Sequence, residues 1–192
     1  MNSICIYCGS NSGRSLAYVD AAKSLANSLV ERKLTLVYGG ASVGIMGSIA
    51  DEVLRLGGDV IGVIPESLVR HELAHQQLTE LRVTKTMHER KSIMAELSDG
   101  FVAMPGGIGT LEELFEIWTW AQLGFHQKPC GLLNTERYFE PLLQFLDHMV
   151  AEQFVTCEHR AMLVAEATPE ALLDRFESYD APQTEKWIAS ES

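Results

Sequence analysis

Short apolar runs and amphipathic segments alternate along this chain. The apolar runs are rich in Val, Ile and Leu, and they predict strands at residues 3–8, 35–38, 59–64, 81–84, 100–104, 130–133 and near 163–164. The segments between them have helical periodicity and predict helices at residues 15–32, 45–56, 87–97, 111–123, 139–152 and 169–177. Strands that alternate with helices in this way favour an α/β fold, in which helices cover both faces of a parallel sheet.

The same pattern indicates one domain. No internal repeat or interdomain linker interrupts it, so we expect a single domain at residues 1–179 and a loosely held tail at residues 180–192. Residues 66–77 form a polar connection between the third and fourth predicted strands. Because open parallel sheets bind ligands where their strands end, at the topological switch point, we expect the chemistry to lie in the turns after the strands.

Two glycine-rich turns follow predicted strands. The first, GGASVGIMG at residues 39–47, has the glycine spacing of a P-loop, but Ile45 and Met46 stand where the lysine and the Ser/Thr belong. The second, PGGIGTLEE at residues 105–113, begins like a dinucleotide fingerprint, but Glu112 replaces its third glycine. ATPase and NAD-dependent functions therefore lose support. What remains is a glycine-lined turn before a helix, whose free N–H groups favour an anion such as phosphate.

Charged residues near the second turn leave alternatives open. Thr110 and Glu113 have the spacing of a capping box, so Glu113 is a candidate for helix capping as well as for ligand contact. Arg90 falls on the apolar stripe of the helix predicted at residues 87–97. It needs an anionic partner there, either a ligand phosphate or a carboxylate such as Glu113, unless the side chain snorkels to solvent. Lys91 is either a surface charge or a phosphate ligand.

Composition and charge narrow the classes of function. The formal net charge is −11, with 15 Lys and Arg against 26 Asp and Glu, which argues against general nucleic-acid binding. No apolar stretch approaches the roughly 18 residues of a membrane span, and no signal-peptide pattern opens the chain. We therefore expect a cytoplasmic protein that binds neither nucleic acid nor membrane.

The cysteines and histidines do not predict a metal site. Cys5 and Cys8 have the spacing of a redox or half-zinc motif, but no second such pair completes it. In an extended strand, residues three apart point to opposite faces, so we expect buried thiols. His71, His75 and Asp59 show no ligand spacing either. We expect no metal.

Two motifs together carry a resemblance to a known family. The segment at residues 105–113 matches the PGGxGTxxE motif of the Lonely Guy (LOG) family, and Met87-x-x-Arg90-Lys91 matches that family's MxxRK-like element. The opening Cys8-Gly9-Ser10 is also similar, and the resemblance covers residues 3–178. It implies a Rossmann-like three-layer fold, a homodimer with sites near the subunit interface, and a phosphoribohydrolase activity. That activity releases an N6-substituted adenine from its riboside 5′-monophosphate and leaves ribose 5-phosphate.

The resemblance also implies roles for individual residues. Arg90 and Glu113 are the expected catalytic pair, with Glu113 stabilising positive charge at the anomeric carbon. The expected substrate contacts are Gly39, Gly40, Glu72, Lys91, Gly106, Gly107, Ile108, Gly109, Thr110, Leu111, Glu112 and Thr119. No cofactor is expected. Many relatives carry a lysine decarboxylase label, but Lys91 is the one obvious Schiff-base candidate and the resemblance assigns it to phosphate binding.

Two alternative functions stay open. The first is a broad AMP or nucleoside monophosphate nucleosidase, because the motif contacts phosphate and ribose and says little about the N6 substituent. The second is a non-catalytic nucleotide or molybdenum-cofactor carrier, which some LOG-like proteins resemble. A carrier needs the glycine cradle but not the pair Arg90 and Glu113, and this pair favours an enzyme.

Overall fold

Seven parallel strands form one sheet in the computed structural model, which describes residues 1–69 and 74–182. Their bounds are β1 Ser3–Tyr7, β2 Thr35–Tyr38, β3 Val60–Pro65, β4 Glu80–Thr84, β5 Phe101–Ala103, β6 Cys130–Leu133 and β7 Leu163–Glu166. The spatial order is β4-β3-β2-β1-β5-β6-β7. The predicted parallel α/β sheet is confirmed, and each strand lies within a residue or two of its expected bounds.

Eight α-helices connect the strands within the same described residues. They are α1 Leu16–Glu31, α2 Gly44–Arg55, α3 Glu66–Val69, α4 Met87–Glu96, α5 Ile108–Gln122, α6 Glu140–Ala151, α7 Cys157–Ala161 and α8 Pro169–Glu177. The short helices α3 and α7 were not predicted, because neither contains enough turns to show a periodic apolar face. Helix α5 begins three residues earlier than expected, so Gly109 and Thr110 lie in its first turn.

Helices cover both faces of the sheet. Apolar residues of α1, α2 and α8 pack on one face with Ile4, Ile6 and Cys8, and those of α4, α5 and α6 pack on the other with Cys5 and Tyr7. This alternation along β1 is the period of two that a strand buried on both faces requires. It places Cys5 and Cys8 on opposite faces, as expected.

The switch point of the sheet lies between β1 and β5. From β1 the chain builds outward through β2, β3 and β4, then returns to place β5 on the other side of β1. Three turns meet at the carboxyl ends of these central strands. The Gly9 N–H donates to the Pro105 carbonyl at 3.2 Å, and the Gly9 carbonyl accepts from the Ile45 N–H at 3.1 Å. The turns after β1, β2 and β5 are therefore tied together at the predicted ligand-binding edge.

Candidate functional site

A small hollow opens where the turns after β1 and β5 meet. Its volume is about 190 Å³, and its lining residues are Gly9, Ser10, Asn11, Gly13, Tyr18, Ile45, Pro105, Gly106, Gly107 and Tyr138. The Tyr138 hydroxyl donates to the Gly106 carbonyl at 2.6 Å, which fixes one wall. A glycine-lined hollow at the start of a helix suits an anionic group, because backbone can approach closely and N–H groups are at hand. The sequence does not predict a role for Tyr18 or Tyr138, because neither lies in a glycine-rich turn or in a charged motif.

The helix next to this hollow begins at the glycine turn itself. The N-cap of α5 is Gly107, in extended backbone and without a side-chain cap. A capping role for Thr110 and Glu113 is therefore wrong, since both lie inside the helix. A Cβ added at Gly107 or Gly109 would meet nothing within 4 Å, whereas one at Gly106 would overlap the Thr110 hydroxyl. The first turn of α5 thus presents an open side to a ligand.

Arg90 points into the protein and contacts Glu113. Its Nη1 donates to Glu113 Oε1 at 2.5 Å, and its Nε donates to the Val63 carbonyl at 3.0 Å. Arg90 is 7% exposed, so the snorkelling alternative is wrong and the predicted carboxylate partner is confirmed. The guanidinium fits because residue 39 is glycine, since a Cβ there would overlap Arg90 Nη2. The pair joins α4, β3, α5 and the first glycine-rich turn.

Two capping hydrogen bonds position the start of the helix that carries Arg90. The Thr86 hydroxyl accepts from the Glu89 N–H at 3.1 Å, and the Glu89 carboxylate accepts from the Lys85 N–H at 2.8 Å. The helix therefore starts at Met87, one turn before Arg90. The sequence carries this signal as Thr86-x-x-Glu89, the same spacing that Thr110 and Glu113 show.

Burial and charge act against each other at Glu113. Its side chain is 12% exposed, and burial raises the pKa of the carboxyl, while the Arg90 guanidinium partly offsets that rise. The net direction is upward from the ordinary value for glutamate. A buried carboxylate of this kind can stabilise a nearby positive charge strongly, because little water screens it.

Lys91 is held by two carboxylates on α5. Its Nζ lies 2.5 Å from Glu112 Oε1 and 2.9 Å from Glu116 Oε2, and its side chain is 9% exposed. The surface-charge alternative is therefore wrong. Desolvation opposes the charge on Lys91, but the two hydrogen bonds outweigh it and raise its pKa. Thr119 is exposed on the same helix, and its hydroxyl donates to the Phe115 carbonyl at 2.6 Å.

The first glycine-rich turn contacts Arg90 on one side and His75 on the other. Gly40 has φ 74°, the left-handed region that favours glycine, and its carbonyl accepts the His75 N–H at 2.9 Å. Gly39 thus lies beside Arg90 and Gly40 beside Val63 and Ile64 of β3, and neither glycine is among the hollow's lining residues. Glu72, the remaining predicted contact, lies outside the described residues.

The chain is similar in sequence to a known protein family. The family model described as "Possible lysine decarboxylase" matches residues 46–176. Cytokinin riboside 5′-monophosphate phosphoribohydrolase LOG of Oryza sativa subsp. japonica is 48% identical over 176 residues, covering 92% of this chain and 73% of that protein. Cytokinin riboside 5′-monophosphate phosphoribohydrolase LOG1 of Arabidopsis thaliana is 46% identical over 189 residues, covering 98% of this chain and 88% of that protein.

The chain belongs to the LOG family. Solved structures share the LOG fold at lower identity. The molybdenum cofactor binding protein of Rippkaea orientalis aligns with a TM-score of 0.68 and 21% identity, covering 92% of this chain and 96% of that one. The Moco carrier protein of Chlamydomonas reinhardtii aligns with a TM-score of 0.68 and 19% identity, with the same coverage. These likenesses show the Rossmann-like fold alone.

The cysteines of this LOG protein are free thiols in the structure. Cys5, Cys8 and Cys130 are buried, as expected of the first two, whereas Cys157 is exposed. Burial raises the pKa of Cys5 to about 12 and also raises the pKa values of Cys8 and Cys130. Across residues 1–69 and 74–182, no group of three His, Cys, Asp or Glu side chains could hold a metal ion. None of the helices in those ranges combines the length and apolar character that a bilayer crossing demands.

Proposed function

We propose that this chain hydrolyses the N-glycosidic bond of N6-substituted adenosine 5′-monophosphate and releases the free base and ribose 5-phosphate. The observation that carries the proposal is the buried pair Arg90–Glu113, because Glu113 lies on α5, whose N-cap Gly107 lines the hollow, although neither side chain of the pair is itself among the lining residues. LOG relatives that are 46–48% identical and are named cytokinin riboside 5′-monophosphate phosphoribohydrolases support it.

The hollow at the start of α5 is the proposed site for the substrate's 5′-phosphate. Amides of the first helical turn, around Gly107, Gly109 and Thr110, supply N–H donors and the positive end of the helix dipole. Gly106 lies in contact with the Thr110 side chain, so the turn and the helix are held in one arrangement. One anion can bind there although the whole protein is negative, because the site is built from backbone amides.

Glu113 is the proposed catalytic carboxylate. Cleavage leaves the bonding electron pair on the base nitrogen, which takes up a proton, and the anomeric carbon becomes positively charged before water adds to it. An anionic side chain beside this carbon lowers the energy of that state, and it can also orient the incoming water. Arg90 is the proposed partner that keeps Glu113 ionised and correctly oriented, because the hydrogen bond between their side chains is short and buried.

Further contacts to the substrate are proposed for Lys91, Glu112 and Thr119, and for Ile108 and Leu111 beside them. Glu112, Glu116 and Thr119 have the spacing of one helical face, and Lys91 is anchored to the first two. In this arrangement Lys91 orients carboxylates and is not a free cation waiting for phosphate. The predicted role of Gly39 becomes indirect, since this glycine makes room for Arg90, and Gly40 packs against β3 instead.

The residues present do not fit a decarboxylase that uses pyridoxal phosphate. That chemistry needs a lysine whose amine is neutral often enough to form a Schiff base. Lys91 instead has its pKa raised by hydrogen bonds to two carboxylates, against the effect of desolvation. We assign no such cofactor.

We also propose a homodimer and a cytoplasmic location. Exposed aromatic side chains support the first, with Phe125 60%, Phe145 57% and Phe154 83% exposed. Four unpaired cysteines support the second, because free thiols are typical of reducing compartments. Sedimentation at several protein concentrations tests the dimer.

The activity is tested by incubating the purified protein with isopentenyladenosine 5′-monophosphate, AMP and isopentenyladenosine. We expect free base and ribose 5-phosphate from the first, slower release from the second, and none from the unphosphorylated riboside. Equal rates with the first two would indicate a broad nucleosidase. Release of base from neither monophosphate would refute the proposed function.

A further inference from the structure

His75 is a buried polar residue with three defined hydrogen bonds. Its backbone N–H donates to the Gly40 carbonyl at 2.9 Å, and its ring Nδ1 accepts from the Gln77 N–H at 3.2 Å. A backbone N–H can only donate, so Nδ1 carries no proton and the ring proton lies on Nε2. That Nε2 lies 2.9 Å from Asp51 Oδ1 and therefore donates to it.

These bonds pin one segment to two different elements. Asp51 lies on α2 and is 70% exposed at its side chain, while His75 is 6% exposed. Ala74 pairs with Ala41 in an antiparallel bridge beside the His75–Gly40 bond. Residues 74–77 are thus fastened to the turn after β2 on one side and to α2 on the other.

The fastened turn is the one against which Arg90 packs. Gly39 contacts the Arg90 guanidinium so closely that a Cβ would overlap Nη2. Gly40 is the next residue, and it packs against β3, because a Cβ added to it would lie 3.3 Å from the backbone nitrogen of Val63. The carbonyl of Val63 accepts from Arg90 Nε. A shift of the Gly39–Gly40 backbone therefore has to move Arg90 relative to Glu113.

We propose that His75 and Asp51 are positioning residues that hold the Gly39–Gly40 turn, and through it the guanidinium of Arg90, in place for glycosidic bond cleavage. This inference rests on the proposed function. Neither side chain touches the hollow, so the pair affects the catalytic step and not the grip on phosphate.

The test compares two substitutions at Asp51 with one nearby control. Asp51→Ala removes the acceptor, whereas Asp51→Asn keeps a carbonyl oxygen that can accept the same Nε2–H. Arg55→Ala removes an exposed ion pair on the same helix and serves as the matched control. For each protein, kcat and KM are measured with isopentenyladenosine 5′-monophosphate as the substrate. The affinity for ribose 5-phosphate and the amide hydrogen exchange of residues 74–77 are measured separately.

In Asp51→Ala we expect kcat to fall about tenfold, since small misplacements of a catalytic pair are costly, with ribose 5-phosphate affinity within about twofold of native. Exchange at the His75 and Gln77 amides should become faster, and both Asp51→Asn and Arg55→Ala should behave like the native protein. A merely structural role would lower the melting temperature and leave kcat unchanged.

Three results would overturn the inference: unchanged kcat in Asp51→Ala, an equal loss in Asp51→Asn, or an equal loss in Arg55→Ala. If the native protein releases no base, the proposed function fails by itself. In that case amide exchange still tests the structural part of the inference. Unchanged exchange in Asp51→Ala would show that the Asp51–His75 hydrogen bond does not hold residues 74–77 in place.

Discussion

Replacing Gly39 with alanine tests how Arg90 is held. Gly39 does not lie in the left-handed region, so alanine can adopt its backbone conformation. The new methyl group would overlap Arg90 Nη2 and would come within 3.2 Å of the Met46 sulfur. Nη2 is at the far end of a flexible side chain, so we expect the guanidinium to move and the protein to fold.

The size of the effect follows from the bonds that the guanidinium makes. Arg90 donates to Glu113 and to the Val63 carbonyl, and a shifted guanidinium loses at least one of these bonds. A hydrogen bond to a charged group contributes about 1.5–3 kcal/mol to stability. For a domain of this size each kcal/mol shifts Tm by roughly 2–4 °C, so we expect a fall of about 3–12 °C. We expect kcat to fall about 100-fold, the cost of misplacing a catalytic group by about 1 Å.

A double-mutant cycle separates this cause from a general disturbance of the turn. Thermal melts and initial rates are measured for Gly39→Ala, Arg90→Ala and the double variant. In the Arg90→Ala background the methyl group meets no guanidinium, so Gly39→Ala should add little further loss. Native rates and Tm in Gly39→Ala, or additive losses in the double variant, would refute the idea that this glycine exists to admit Arg90.

Three further predictions concern the charge of Glu113 and the thiols. Glu113→Gln keeps the shape but removes the charge, so kcat should fall about 10²–10³-fold while calorimetry shows ribose 5-phosphate binding retained; a native rate would exclude Glu113 from catalysis. Because the pKa of Glu113 is raised and its ionised form acts, kcat/KM should be lost as pH falls through that raised pKa. A pH profile should therefore bend above the ordinary range of glutamate, and Glu112→Gln, which removes a neighbouring negative charge that adds to the rise, should move that bend to lower pH. In the native protein a thiol reagent should modify Cys157 rapidly, and the three buried cysteines should react after denaturation; rapid reaction of all four would contradict the described core.

Hydrophobic patterning predicted most of the sheet because strands buried on both faces leave continuous apolar runs. The start of α5 was placed too late, since glycine at residue 109 disfavours a helix by propensity. The structure overrides that preference, and Gly107 serves as the N-cap. The sequence thus predicts that α5 exists but does not predict the residue at which it begins.

The candidate site was predictable where one residue's burial demanded a partner. An arginine on an apolar stripe needs an anion, and the sequence offers either a ligand phosphate or a carboxylate such as Glu113 as that partner. The partners of Lys91 were not predictable in this way, because Glu112 and Glu116 meet it through the packing of α4 against α5. The contacts of Tyr138 and His75 were not predictable for the same reason, since they join segments far apart in sequence, and the sequence presents His75 only as a residue without metal-ligand spacing.

Gly9 links three loops through its two backbone bonds, to Pro105 and to Ile45. The loops cannot change length independently, because an insertion in one would pull on the other two at this shared node. Natural or engineered variation in substrate preference should therefore be concentrated at positions farther from Gly9, while the three segments that join there change together or not at all.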